Sequence, residues 1–254
     1  MELAFCGSSA FRITSPKGVS VIIAPRRTHP ARIWDWYFRN FPITAVNIGV
    51  STHAQFYHDA LNRLDAHVLL DRLIGMYAFS NMTIYGLADK HAVISSFAIY
   101  AFKKIDKEFR SADIEPPDNP RSWGHCLIVV ETGGMRIVHW GDNHHDSSGN
   151  IWKDLGSIDI ALLPVDVSQH VMGQVYVEAI IERLQLRVMV PHHYYIRDAL
   201  QRQSTLQTVE AWVDARVGVE WITGRRRICR IEGMNKLDRA VHYFGDHVNF
   251  DKAA

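Results

Sequence analysis

The chain has 254 residues, 47% of them hydrophobic and 22% charged, the balance of an ordinary soluble globular protein with room for one large domain or two small ones around a buried core. Its formal net charge of +1 supplies no field of one sign, which argues against nucleic-acid and anionic-membrane partners. No apolar run is long enough to cross a bilayer, and the opening Met1-Glu2-Leu3-Ala4-Phe5 lacks the basic region and long apolar core of a signal peptide.

Residues 1–6, 11–15 and 19–24 read as three short strands, with Gly7-Ser8-Ser9 and Pro16-Lys17-Gly18 as the turns between them. A basic loop over residues 25–30 precedes an aromatic cluster of Trp34, Trp36, Tyr37, Phe38 and Phe41. That cluster fits a substrate pocket, a subunit interface or, at least as well, one amphipathic element packed on the core. Residues 43–50 form an apolar strand that runs into the loop Ser51-Thr52-His53-Ala54-Gln55-Phe56-Tyr57-His58, and residues 59–64 look helical. Residues 66–70 and 82–86 are strand-like, the second leading into Leu87-Ala88-Asp89-Lys90-His91. From 95 to 109 the period changes, with Phe97, Ala98, Ala101, Phe102, Ile105 and Phe109 on one helical stripe and Ser95 or Ser96 as its cap. With the proline-bearing loop 110–122, this gives an insertion over 92–122 that reads as a lid.

The second half opens with residues 126–131 and 135–140 flanking Gly133-Gly134, a hairpin signal, and continues into Gly141-Asp142-Asn143-His144-His145-Asp146. A strand over 158–165, a helix over 173–184 and a strand over 187–190 follow, the last ending in Pro191-His192-His193-Tyr194. The pattern then predicts a helix over 205–217, a hairpin of 219–222 with 226–231 carrying Arg225-Arg226-Arg227 on its exposed side, and a last helix over 234–245. Strands then helices, twice, with no linker between them, predict one α/β domain over 1–254, built from two similar halves with sheets sandwiched between helices.

Cys6, Cys126 and Cys229 are odd in number, far apart and without a CxxC pair, which predicts free thiols in a reducing compartment and a cytoplasmic location. Histidine is the unusual count, 14 against 28 lysines and arginines, and it is the side chain best suited to metal ligation and to proton transfer near neutral pH. Four separated places end a strand, or the turn after it, in a metal-capable side chain: His53 with His58, His91, Asp142 and His193. Strands of one sheet end near one another, so these residues can meet at one rim. Gly141 lets the backbone approach closely before Asp142, and Pro191 fixes the chain direction before the His pair. The set is rich in nitrogen, with one carboxylate, and suits zinc, iron or manganese. His139 shares a strand face with Ile137 and Met135 and is expected in the core. His125 and His170 are expected to have ordinary structural or solvated roles, as are His144, His145 and Asp146.

These motifs resemble the metallo-β-lactamase superfamily, in particular its lactonase-like and phosphodiesterase-like hydrolase branch, over nearly the whole chain. Cys6-Gly7-Ser8-Ser9-Ala10-Phe11-Arg12-Ile13 is similar to that branch's Gly-His-Ser/Ala-x-Phe-x-Ile start, and Val21-Ile22-Ile23-Ala24-Pro25 to its apolar-Asp-Pro strand end. Thr52 to His58 resembles Thr-His-x-His-x-Asp-His, Val138-His139-Trp140-Gly141-Asp142 the strand-Gly-Asp motif, and Val190-Pro191-His192-His193-Tyr194 the late apolar-Pro-x-His-Tyr motif. The resemblance implies a four-layer αβ/βα sandwich with its site at a sheet edge. By position it implies one metal on His53, Gln55, His91 and Asp142, and another on Tyr57, His58, Asp142 and His193. Gln55 and Tyr57 are weak replacements for the His and Asp of the motif, while Ser8 and Ala24 stand where the early His and the Asp of Asp-Pro are expected.

Three chemical outcomes follow. One divalent ion, zinc before iron or manganese, sits on part of the set and activates water; or two ions sit there, with Gln55 and Tyr57 as ligands or Tyr57 donating to the substrate; or the site works without metal, by acid–base chemistry. The first two predict a hydrolase of a small ester, lactone, amide or phosphoester, with Asp142, His58 and Tyr57 as the reactive residues. The third predicts a ligand-binding or assembly protein on the same fold, with an enzyme whose altered metal site runs lyase or redox chemistry as the case between. The expected partner is a small molecule, and residues 34–41 would serve a homo-oligomer.

Overall fold

In a computed structural model, residues 1–26, 41–53, 58–90, 124–165, 172–196, 206–216, 219–221, 227–228 and 239–246 are described. Three short alternating segments bounded by Gly and Pro turns pair as an antiparallel meander, β1 (Glu2–Phe5), β2 (Phe11–Thr14) and β3 (Ser20–Ile23), with Phe5 opposite Phe11 and Thr14 opposite Ser20. Two strands then run parallel to β3: β4 (Thr44–Ser51), with Val50 opposite Ile23, and β5 (Leu64–Asp71). Only the first half of β4 alternates; its last four residues are buried on both faces, so the chain enters the loop at Thr52 already inside the protein.

The second half repeats this plan. β6 (Gly75–Phe79), β7 (Met82–Lys90), β8 (Gly124–Thr132) and β9 (Met135–His139) are antiparallel neighbours. The β8–β9 turn is made by Gly133 and Gly134 at φ +60° and +75°, values that glycine adopts at little cost. β10 (Ile160–Pro164) runs parallel to β9, and β11 (Val188–His192) parallel to β10. Parallel pairing sets the carboxyl ends of β9, β10 and β11 along one rim, where His139, Pro164 and His192 lead out.

Helices α1 (Gly149–Leu155), α2 (Gln174–Leu184) and α3 (Glu210–Asp214) belong to this half. Ser148 caps α1 by accepting from the Ile151 amide, and the apolar stripe of α2 buries Val177, Ile180 and Ile181. Phe5, Ile13 and Ile23 from one sheet share a single buried cluster with Val129, Ile137 and Leu162 from the other. The result is an αβ/βα sandwich of two mixed sheets and two similar halves.

Three sequence expectations are corrected. The late hairpin does not form: β12 (Val219–Trp221) runs parallel to β14 (Ala240–Tyr243) in the eight-stranded sheet, while β13 (Arg227–Ile228) pairs antiparallel with β1 in the six-stranded sheet. Each segment satisfies an open edge of a different sheet, a long-range demand that a local turn signal does not carry. The helix expected over 234–245 is strand β14 where it is described; Val241, His242, Tyr243 and Phe244 are all buried, as in a parallel strand covered on both faces. Residues 59–64 contribute only one 3-10 turn, Leu61–Arg63. The aromatic cluster from Trp34 to Phe38, the helix over 95–109, the lid over 92–122 and Cys229 lie outside the described residues, whereas Phe41 is in the core and Cys6 and Cys126 are free and buried.

Candidate metal centre

The six-stranded sheet supplies the first candidate ligands. Past β4, Thr52 and His53 are fully buried, and the Thr52 hydroxyl lies 3.0 Å from His53 Nδ1. His58, also fully buried, has its Nδ1 2.8 Å from the hydroxyl of Ser9 in the β1–β2 turn. A hydroxyl oxygen can accept the Nδ1 proton in both cases, which puts the lone pair of each ring on Nε2, the form in which imidazole binds metal.

The eight-stranded sheet supplies the carboxylate. After β9, Gly141 takes φ +57° and turns Asp142 inward, where it is 3% exposed. Asp142 Oδ2 lies 3.0 Å from His58 Nε2 and 3.9 Å from His53 Nε2, and Oδ1 lies 3.8 Å from the Nε2 of His193, just past β11. Ligand atoms of His53, His58 and Asp142 all fall within 4.8 Å of one another. The close approach of His58 Nε2 to Asp142 is no hydrogen bond, and that buried nitrogen has no hydrogen-bond partner among the described residues. A lone pair and a carboxylate oxygen facing each other in the interior repel unless a cation lies between them. Two imidazoles and a carboxylate therefore fit a divalent metal, and the fold and this His-His-Asp group together support metal binding.

Of the residues singled out in the sequence, His53, His58, Asp142 and His193 converge. Gln55, Tyr57 and His91 lie outside the described residues; β7 ends at Lys90, paired with Gly124 beside His125. Three residues near the site hold left-handed backbone, Ser8 at φ 59°, Ala24 at 52° and His193 at 60°, each costing about 1 kcal/mol or more. Ser8 and His193 are locked together, the His193 amide donating to the Ser8 carbonyl at 2.9 Å.

Behind the ligands stands a second group of histidines. His139 is buried as expected, its Nε2 2.6 Å from the Ser9 carbonyl; a carbonyl only accepts, so that nitrogen carries the proton. Burial pushes His139 down to about 4. His192, beside His193 at the end of β11, is fully buried and stacks on His139 at 5.2 Å. Burial first, then the neighbouring His139 and His193, hold it well below the ordinary histidine value. Both rings are therefore uncharged at neutral pH.

His125 was expected to be ordinary, yet it is 1% exposed, and its Nε2 accepts from the Asp142 amide at 3.1 Å. Its place directly ahead of the apolar run Cys126-Leu127-Ile128-Val129-Val130 was the available signal. The supporting hydroxyls of Ser9 and Thr52 could have been suspected only from their closeness to ligand motifs.

Asp89, at the end of β7, lies 2.8 Å from His144 Nε2 and accepts from Asn143 Nδ2 at 3.0 Å, pinning the loop that follows Asp142. Burial alone would raise the Asp89 carboxyl, but hydrogen bonds from Ser147, Asn143 and His144 outweigh it and lower the pKa. The loop 143–147 is thus less solvated than expected: His144 is partly buried, and His145 stacks on Tyr176 at 3.7 Å.

Comparison with known proteins places this arrangement. The family model of a beta-lactamase superfamily domain matches residues 2–193, a span that contains all four converged side chains. A candidate Zn-dependent hydrolase of the metallo-beta-lactamase superfamily from Thermotoga maritima superposes with TM-score 0.63 at 16% identity, over 95% of this chain and 97% of that one. The isothiocyanate hydrolase from Delia radicum gut bacteria gives 0.55 at 14% identity, over 84% and 91%. CmlA, a diiron beta-hydroxylase from Streptomyces venezuelae, gives 0.51 at 9% identity, over 83% of this chain and 48% of its own. At these identities the likeness is one of fold. No curated protein matches the chain by sequence.

Proposed function

The chain belongs to the metallo-β-lactamase superfamily, and from that premise we propose that it is a metal-dependent hydrolase of a small ester, lactone, amide or phosphoester. The observation that carries this reading is the convergence of His53 Nε2 and His58 Nε2 on Asp142 Oδ2, with each opposite ring nitrogen held by a hydroxyl. His193, facing the other carboxylate oxygen, makes Asp142 able to serve two ions as well as one. Zinc suits the donors best, and iron remains the second choice because the fold also carries a diiron enzyme.

When bound, such a cation supplies a Lewis acid and brings the ionisation of water down to near neutral pH. The chain's own residues supply the rest. Ser9 and Thr52 fix the ring orientations of the two imidazoles, and Asp142 brings the negative charge. The neutral His139 and His192 add polar bulk without positive charge that would repel a cation. Tyr57, directly before His58 in sequence, is proposed to donate a hydrogen bond to the developing oxyanion. Burial of every described donor keeps bulk water from screening these interactions.

The test is elemental analysis of the purified protein, together with turnover of nitrophenyl esters, lactones and a phosphodiester by the wild type, Asp142→Ala and His193→Ala. The proposal expects bound metal and hydrolysis of at least one class, both lost in Asp142→Ala. A metal-free preparation with full activity would overturn it.

A further inference from the structure

We infer that His125 is a positioning residue for the metal centre, a neutral imidazole that holds the Asp142 main chain and the His53 ring in one arrangement across the two sheets. The inference rests on the metal reading above and adds a residue outside the donor set. His53 comes from the six-stranded sheet and Asp142 from the eight-stranded one. Coordination tolerates displacements of only about 0.2 Å, so ligands drawn from two sheets need a tie between them.

His125 touches both. Its ring lies against His53 with centroids 5.1 Å apart at 40°. Its Nε2 accepts from the Asp142 amide at 3.1 Å. A main-chain N–H can only donate, so Nε2 carries the lone pair and the proton of the neutral ring sits on Nδ1. The strand that presents His125 is itself fastened to the residue before His53, because the Cys126 amide donates to the Thr52 carbonyl at 2.9 Å.

Gly141 makes the approach feasible. A Cβ at that position would stand 2.6 Å from His125 Nε2 and 2.9 Å from Cε1, closer than real side chains come. With φ at +57°, glycine also takes the turn before Asp142 without the penalty of an L side chain. The glycine of the strand-Gly-Asp motif thus has two tasks here, aiming Asp142 and leaving room for the imidazole that holds it.

The experiment uses the full chain and Zn(II) alone, measured by competition against a chromophoric chelator, with melting in EDTA as a check on folding. The variants are His125→Leu, which cannot accept; His125→Gln, whose Oε1 can stand where Nε2 stood; and Gly141→Ala, which drives the ring away. His125→Leu and Gly141→Ala are expected to weaken zinc about 10–100-fold, the usual effect of losing a partner that orients a metal ligand, and His125→Gln to recover most of the loss. Zinc binding by His125→Leu equal to wild type, or by His125→Gln as weak as Leu, overturns the inference.

A readout without metal is the histidine 15N spectrum of the apo protein, in which His125 is expected as the Nδ1–H tautomer, with its Nε2 signal shifted in Gly141→Ala. Wild type that binds no zinc but shows this tautomer refutes the metal reading and leaves the hold of His125 on Asp142 standing. An Nε2–H tautomer overturns the inference whatever zinc does.

Discussion

Removing one hydroxyl, at Ser9, tests how the imidazoles are aimed. Ser9 and His58 are both fully buried, with Oγ 2.8 Å from Nδ1, and the other ring nitrogen faces Asp142 Oδ2 at 3.0 Å. In Ser9→Ala the Nδ1 proton has no acceptor, at a cost of about 1–3 kcal/mol for a buried polar group left unpaired. The ring escapes that cost by moving its proton to Nε2 and turning it toward the Asp142 carboxylate, and in that form it is no ligand. The apo protein should therefore lose at most the unpaired-group cost, a melting drop of roughly 2–12 °C at about 2–4 °C per kcal/mol for a chain of this size. Zinc affinity should fall about 10–100-fold. Alanine keeps the Ser9 carbonyl, so the bond to His139 survives and the effect is specific to His58. Zinc competition titrations and EDTA melts of the two proteins, run side by side, measure both quantities. Unchanged zinc affinity in Ser9→Ala would refute the reasoning.

Three further outcomes are expected. His139 is held at about 4 by burial against an ordinary 6.5, so the native state binds fewer protons than the unfolded one. Stability should accordingly fall as pH drops below 6.5 and be fully lost from this source below about 4; about 2.5 units at 1.36 kcal/mol each come to ~3 kcal/mol. Urea midpoints at pH 7 and 4.5 should show this, with a shallower dependence in His139→Gln. Saturating zinc at about 100 times its Kd should add ~2.7 kcal/mol of stability to wild type and nothing to Asp142→Asn, as read by melting with zinc or EDTA. Cys6 and Cys126 are each 3% exposed, and burial pushes Cys126 up to about 11. Ellman's reagent at pH 8 should therefore find at most one fast-reacting thiol in the native protein and three after unfolding.

The legible parts of the fold were those in which local chemistry and final structure agree. The β1–β3 meander announces itself through alternation and Gly or Pro turns, and the β8–β9 hairpin through Gly133-Gly134. Asp142 and His193 were readable because Gly141 and Pro191 mark strand ends. What stayed hidden depended on partners far away in sequence. β14 has no alternation to mark a face and becomes a strand because β11 and β12 flank it. β6 is an exposed edge carrying Met76 and Tyr77, with no alternation to mark a face. His125 looked ordinary just ahead of an apolar strand, because its role needs the space left by Gly141 in the turn after β9.

Whether His53, His58 and Asp142 hold a divalent cation is decided by anomalous scattering at the zinc edge from crystals grown with zinc. A peak is expected about 2.0–2.2 Å from His53 Nε2, His58 Nε2 and an Asp142 carboxylate oxygen, the distances zinc keeps to such ligands. No peak among these three side chains, or one bound wholly elsewhere on the chain, would contradict it.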